Sequence, residues 1–511
     1  MLVKRKLFLI VICIFLSIII INVNEFLSSY PAHIDSFYHA SHAQLILNYN
    51  GSVYPNLSPY YEYPITYVLE YVAKIITGIE LLALHKILTI FLYILWYPSL
   101  LIFIRRSLLK TDISINSSNV TYVLFFPILY FAIYIQGPLT FSPQLLSIII
   151  FILLFLNILK NEGSPSLALV IIFGITLAFS HHVTSLIVLS IALLMLIINR
   201  ARQRKFIWLC LATIVVLKII FYTIYYIYIG ESLLRSLFRS IIVQETFEYH
   251  AIKAIANNPI ESFFSYLKRA LIIVISTFSI YQIFRENFMI KKRTSREIMF
   301  FRFLLMALIG SLFVTSIISP IAFERSLLFS GLWLIPSFGV LILRDQSRIL
   351  NRIAKHYDKG VFFSLFLLLM FLSIVSNIVP RVYSEILSPF GTATKEDEIA
   401  TSIYFARFIQ RESILSTKLF TDLGNFQLLR YTMILNNVCN TLKTYNFHHD
   451  RSATLLQVEK YIKRSDIIIV GERTEGRFVN FFGKSIFEYI TMHEQNIIYT
   501  SGKMRICLSE T

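Results

Sequence analysis

Charge is scarce in this chain of 511 residues: Asp, Glu, Lys and Arg make up 15%, against 56% apolar residues. A soluble globular chain carries roughly a quarter charged residues, and a mean hydropathy of +0.67 points the same way. The shortage excludes a soluble dehydrogenase, a nucleic-acid binder and a disordered scaffold. Cysteine is nearly absent as well. Of four, Cys13 and Cys210 lie in apolar runs, which excludes a disulfide scaffold and a zinc ribbon. Cys439 and Cys507 either pair in an exported tail or stay as thiols. No Walker A, GxSxG, HExxH or CxxC spacing occurs, so nucleotide and protease chemistry have no support. Neither an internal repeat nor a low-complexity tract is present.

What the chain has in quantity is apolar length. A hydrocarbon core of about 30 Å needs roughly 20 helical residues. On that measure eleven spans are expected, at 7–23, 85–104, 119–136, 143–159, 165–180, 183–199, 206–229, 267–284, 298–318, 326–343 and 360–379. The fifth and sixth are short enough to form a re-entrant pair instead. Pro98, Pro127 and Pro336 are expected to interrupt their spans. The net charge of +17 supports this map, because residues 381–511 hold 16 basic against 14 acidic residues. The excess therefore lies in the first 380 residues, where alternate loops carry 21 Lys and Arg. The positive-inside rule puts the N-terminus in the cytoplasm, and an odd number of spans puts the C-terminal segment outside. The basic start followed by an apolar run reads as an uncleaved signal anchor.

The expected fold is thus an α-helical polytopic membrane protein with a bundle over residues 1–380 and a small extracytoplasmic α/β domain over 381–511. Two long outer loops interrupt the bundle. The first, 24–84, contains amphipathic stretches at 36–48 and 65–77. The second, 230–266, reads as helical segments lying on the membrane surface. In the tail, 395–411 and 455–464 look helical, 418–421 and 465–470 extended, and 497–508 forms a hairpin.

The polar clusters that could do chemistry all fall on the outer side. If the chain is helical from Asp35, Asp35, Tyr38, His39 and His42 lie within about 100° of arc, and Leu45 and Ile46 extend the stripe. An aspartate with two imidazoles on one face can bind a divalent cation such as Mg or Mn. Alternatively the carboxylate acts as a general base oriented by a histidine, or the helix simply has a wet polar side. Further along, Tyr54, Tyr60, Tyr61 and Tyr63 sit among prolines with Glu62; flat rings bearing hydroxyls suit sugars, and Glu62 is a second carboxylate. His181 and His182 could line the substrate or serve as interfacial donors to backbone. Arg325, at the start of the tenth span, can clamp a lipid phosphate or pair with Glu324. Glu245, Glu248 and His250 could serve an acceptor or form a solvated face. Lys218 lies mid-span, where an ammonium costs about 2.5–3.5 kcal/mol, and is expected to have a structural partner. Asn50 and Asn56 head outward sequons.

An anchor span, then an outer loop with Asp35, Tyr38 and His39, then a Tyr-rich segment ending Tyr61, Glu62, Tyr63 and Pro64, resembles the GT-C glycosyltransferases. Archaeal members also show segments like Phe141-Ser142-Pro143-Gln144 and Ser180-His181-His182, and tails like Ile498-Tyr499 followed by Gly502, Arg505 and Ile506. The resemblance implies a polytopic cell-membrane enzyme that takes a sugar from a polyprenyl- or dolichyl-phosphate donor to a glycan, lipid or protein acceptor on the outer face. It implies Asp35 as base, with Glu62 as a second acid, and Arg325 at the donor phosphate. Tyr38, Tyr60, Tyr61, His181 and His182 would contact substrate, and His39 and His42 would stand with Asp35 at a metal. The side-by-side acids of many members are absent, since Ile34 and Ser36 flank Asp35, and Tyr63-Pro64 stands where Pro-Pro is usual. The competing readings are a polysaccharide polymerase or ligase using a lipid-diphosphate donor, and a lipid or oligosaccharide transporter. A transporter would show inverted repeats and place its polar groups near the midplane.

Overall fold

The computed structural model describes residues 2–27, 34–48, 64–111, 113, 120–135, 142–159, 165–198, 202–225, 259–289, 295–318, 323–353, 359–381, 401–402 and 404–405, and five strands between 418 and 508. Four of its helices are long and apolar enough to cross a membrane, and six shorter ones are apolar. This is the build of an α-helical membrane protein.

The helices are α1 Leu2–Leu27, α2 Ile34–Asn48, α3 Pro64–Thr77, α4 Leu81–Leu109, α5 Val120–Tyr134, α6 Pro143–Ile158 and α7 Leu167–Ser180. They continue with α8 His182–Ile198, α9 Arg202–Tyr225, α10 Pro259–Phe284, α11 Ser295–Ile318, α12 Phe323–Ile353 and α13 Lys359–Arg381. Each of the eleven apolar runs coincides with one helix. α10 starts eight residues before the expected span, so 259–266 belongs to it rather than to a surface loop. Pro98, Pro127 and Pro336 lie inside unbroken helices. Near Pro127, where proline weakens the helical ladder, the Tyr97 hydroxyl donates to the Leu124 carbonyl at 2.7 Å.

Aromatic rings fill the bundle's core. Trp333 packs edge-on against Phe103, Phe155 and Phe303, and its indole N–H donates to Ser311. Large apolar side chains such as Phe8, Phe91, Ile197, Phe263 and Phe313 remain exposed. A bundle apolar both inside and outside suits lipid as its solvent.

Inter-helix bonds fix which ends lie together. Arg344, late in α12, donates to the Thr111 carbonyl just past the end of α4 (3.3 Å), so α4 and α12 run parallel. Arg106, near the end of α4, donates to Leu156 near the end of α6, so α6 runs with them. A Cβ on Gly331 would meet the Tyr134 ring, and one on Gly339 the Phe126 ring, so α5 runs antiparallel to α12. Lys268, early in α10, donates to Ile135 at the end of α5 (2.9 Å) and to Asn377 near the end of α13 (3.2 Å). One end of the bundle therefore gathers the starts of α4, α6, α10 and α12 with the ends of α5 and α13. At the other end, Arg344 bonds Glu286 (3.2 Å) and Glu297 (2.5 Å). Glu286 lies in a π-helical turn, Arg285–Met289, and also accepts from Gln282.

Five strands form one mixed sheet in the order β2-β1-β3-β5-β4. They are β1 Lys418–Thr421, β2 Lys443–Asn446, β3 Ile467–Val470, β4 Asn496–Ser501 and β5 Met504–Leu508. β1 pairs in parallel with β2 and β3, and β5 runs antiparallel to β3 and β4. β3 is wholly apolar, with Ile468 and Ile469 buried, as befits a strand with neighbours on both edges. β2 had no counterpart in the sequence reading. The expected helix at 455–464, the surface segments of 230–258 and Cys439 lie outside the described residues, as do Asn50 and Asn56.

Candidate active site

The first loop builds its structure at the end of the bundle where α4 begins. α3 stops at Gly78, whose φ of +68° is left-handed, and the Gly78 N–H bonds the Lys74 carbonyl at 2.9 Å. That is a glycine helix stop. Two residues later Glu80 caps α4, its carboxylate accepting from the Ala83 N–H at 3.0 Å. This elbow folds α3 back against α4 and leaves a slot that α2 fills.

α2 is buried on two faces. Phe37, Ala40 and Ala43 pack with Leu81, Leu82 and Leu84 at the start of α4. On the other side Leu45 and Ile46 pack with Tyr67 of α3. The polar residues are enclosed with them, for Ser36, His39, Ser41 and His42 are all buried. The wet polar side weighed from sequence is thus absent from the described part of α2, because α3 covers it.

Tyr67 organises that contact. Its hydroxyl is 3.0 Å from His39 Nδ1, and its ring stacks on His42 with centroids 5.1 Å apart and on His39 at 5.9 Å. One turn on, Glu70 Oε1 meets His85 Nδ1 of α4 at 3.0 Å, with both side chains at 1% exposure or less. Glu70 Oε2, Thr66 Oγ1 and Ser36 Oγ are buried without a hydrogen-bond partner. The Glu70–His85 pair was not foreseen. A single Glu in an amphipathic run reads as a solvated charge, and its partner lies fifteen residues away across the elbow. The available signal was the face it occupies. Val68, Leu69, Val72, Ile75 and Ile76 are exposed and form an apolar stripe, so Thr66, Tyr67 and Glu70 must face inward.

Asp35 and Tyr38 stand in the first two turns of α2, Asp35 one turn before His39. Arg325 stands in the first turn of α12, and the parallel run of α4 and α12 puts that turn at the same end of the bundle as α2. Tyr60, Tyr61 and Glu62 lie outside the described residues, as do Glu245, Glu248 and His250. Lys218 is buried in α9 and does not lack an interaction.

His181 and His182 sit at the junction of α7 and α8. The ring of His181 is an N-cap for α8: Nδ1 accepts from the Thr184 N–H at 3.4 Å and lies 3.0 Å from Thr184 Oγ1. Thr184 Oγ1 in turn lies 2.9 Å from Ser147 Oγ of α6. Ser142 caps α6 with Pro143 in its first turn, and Ser185 donates to the Leu177 and His181 carbonyls. The Ser142–Gln144 and Ser180–Ser185 segments thus close one three-helix junction, at the end where α6 begins.

As to a cation, no group of three His, Cys, Asp or Glu that could hold one occurs among the described residues. His39 spends Nδ1 on Tyr67, and His42 is stacked. The Asp35 carboxylate lies outside the described side chains, and the described donors by themselves do not assemble a metal site.

No protein-family model matches the chain, and no curated protein matches it either.

Proposed function

We propose that this chain is a membrane glycosyltransferase of GT-C architecture, working on the outer face with a polyprenyl- or dolichyl-phosphate sugar as donor. The observation that carries this reading is the enclosure of α2. The helix bearing Asp35 is wedged between α3 and α4 at the bundle end that also holds the first turn of α12 with Arg325. A base and a phosphate clamp on separate elements at one end of a lipid-immersed bundle suit a substrate whose tail lies in the bilayer and whose head lies at the surface.

In this reading Asp35 takes the proton of an acceptor hydroxyl as its oxygen attacks C1 of the sugar. The C1–O bond to the phosphate breaks, and the lipid phosphate leaves with the electron pair against Arg325. One displacement inverts C1. The eleven-span topology, with the C-terminal α/β domain outside, is part of the proposal, and the domain would hold the acceptor. The apolar exterior and the cationic loops between spans support it.

The test is transfer from radiolabelled polyprenyl-phosphate hexoses by purified protein in membranes, with and without chelator. Asp35→Asn is expected to lower turnover by about 10²–10⁴-fold, the usual worth of a general base. Equal turnover in Asp35→Asn and wild type removes Asp35 as the base. Absence of transfer from every donor, with folded protein, refutes the enzyme.

A further inference from the structure

The Glu70–His85 pair raises a question that stability does not answer. A buried ion pair can often be replaced by well-packed apolar residues at no loss. Here the pair is also incompletely satisfied, because Glu70 Oε2 is buried and has no hydrogen-bond partner. Such a group needs another reason to be present.

That reason lies in the environment of α3. Its outward stripe of Val68, Leu69, Val72, Ile75 and Ile76 is exposed and apolar, continuous in character with the exposed Ile87, Phe91 and Ile94 of α4. At fourteen residues α3 is about 21 Å long and carries Glu70 and Lys74, and its exposed apolar stripe suits contact with lipid. Between apolar protein and apolar lipid the hydrophobic effect does not choose how a helix is rolled about its axis. Close packing and directional bonds do so. Among the described residues, two such bonds are Tyr67 to His39 on α2 and Glu70 to His85 on α4. They are three residues apart and so share one face.

We propose that Glu70 and His85 form a positioning pair for the first-loop helix. Glu70 anchors the roll of α3 to the fixed start of α4, and Tyr67, one turn earlier, transmits that roll to α2 through His39 and His42. The pair thereby sets where Asp35 stands without touching substrate. The consequence for rate rests on the glycosyltransferase reading; the consequence for α2 does not.

The experiment measures hydrogen exchange of full-length protein in lipid nanodiscs, alongside thermal stability and sugar transfer. Three proteins are compared with wild type: Glu70→Gln, the apolar double variant Glu70→Leu/His85→Leu, and the swap Glu70→His/His85→Glu. Exchange over 36–48 is expected to rise about tenfold or more in the first two and to stay unchanged over 143–158. The double variant is expected to unfold at or above the wild-type temperature. In transfer, kcat is expected to fall about 10²-fold at unchanged donor KM, and the swap to restore both exchange and kcat toward wild type. Unaltered α2 exchange in the double variant overturns the proposal, and so does an equal rise along the whole chain. If α2 loosens as expected and even wild type transfers nothing, the positioning pair stands and the enzyme reading falls.

Discussion

Arg344→Met tests the opposite end of the bundle. Arg344 joins Glu286, whose side chain is fully buried, and Glu297, whose side chain is 6% exposed, and also reaches the Thr111 carbonyl. Methionine keeps the length of the stem and removes the charge, so two buried carboxylates lose their shared cation. Breaking a buried pair costs about 3–5 kcal/mol. The guanidinium side chain is 25% exposed, so water can partly replace it, and Glu286 keeps Gln282 and Arg285. Those two facts place the expected loss at the lower bound, about 3 kcal/mol. The assay is thermal unfolding in nanodiscs, followed by the fraction that stays monodisperse on size exclusion. Arg344→Met should unfold several degrees lower. Adding Glu286→Gln and Glu297→Gln removes the stranded charges and should recover most of that loss. A single variant as stable as wild type refutes the reasoning, and so does a triple variant no better than the single.

Four further outcomes follow from the same geometry. Gly331→Ala puts a Cβ 2.5 Å from Tyr134 Cγ, and overpacking a buried ring costs about 1–3 kcal/mol, read as a lower unfolding temperature. Gly78→Ala meets nothing within 4 Å and suffers only the left-handed backbone, about 1 kcal/mol; Gly78→Asn, which tolerates that conformation, should lose less in the same assay. Thr184→Val deletes the hydroxyl between His181 and Ser147 and should cost about 1–3 kcal/mol, with faster hydrogen exchange at the start of α8 before any other helix. In a cysteine-free background on intact cells, an impermeant maleimide should label Val53→Cys at once and Lys291→Cys only after permeabilisation; the reverse pattern inverts the proposed topology.

Apolar runs made the bundle legible, because a helix in lipid must be apolar for most of its length and little else in the sequence is. Short β-branched segments did the same for β3 and for the β4–β5 hairpin. The stretches at 36–48 and 65–77 were placed to within a residue or two of α2 and α3. Burial was not legible in the same way. Spacing alone left open a polar stripe facing water at His39 and His42, whereas Tyr67, twenty-eight residues from His39, covers them. Glu70 and His85 meet only because Gly78 takes a left-handed turn that no periodicity announces. The prolines were not legible either: Pro98, Pro127 and Pro336 each lie inside a helix that continues past them.

The distribution of buried polar groups bears on the choice between enzyme and transporter. A transporter coordinates its cargo near the bilayer midplane with charged or unwound elements. Here two charged networks lie at the bundle's two ends, apart from Lys218, which is buried within α9, and they differ in kind. At one end, two carboxylates are matched by arginines and an amide. At the other, imidazoles, a phenol and a carboxylate with one open oxygen surround the helix that carries Asp35. The second set is buried and fixes the helix that carries Asp35 at the bundle end that also holds the first turn of α12. In the proposed glycosyltransferase reading, that asymmetry suits chemistry at one face of the membrane. It also sets a demand on any transport reading, which would have to route a polar cargo past the packed rings of Phe151, Phe155 and Trp333.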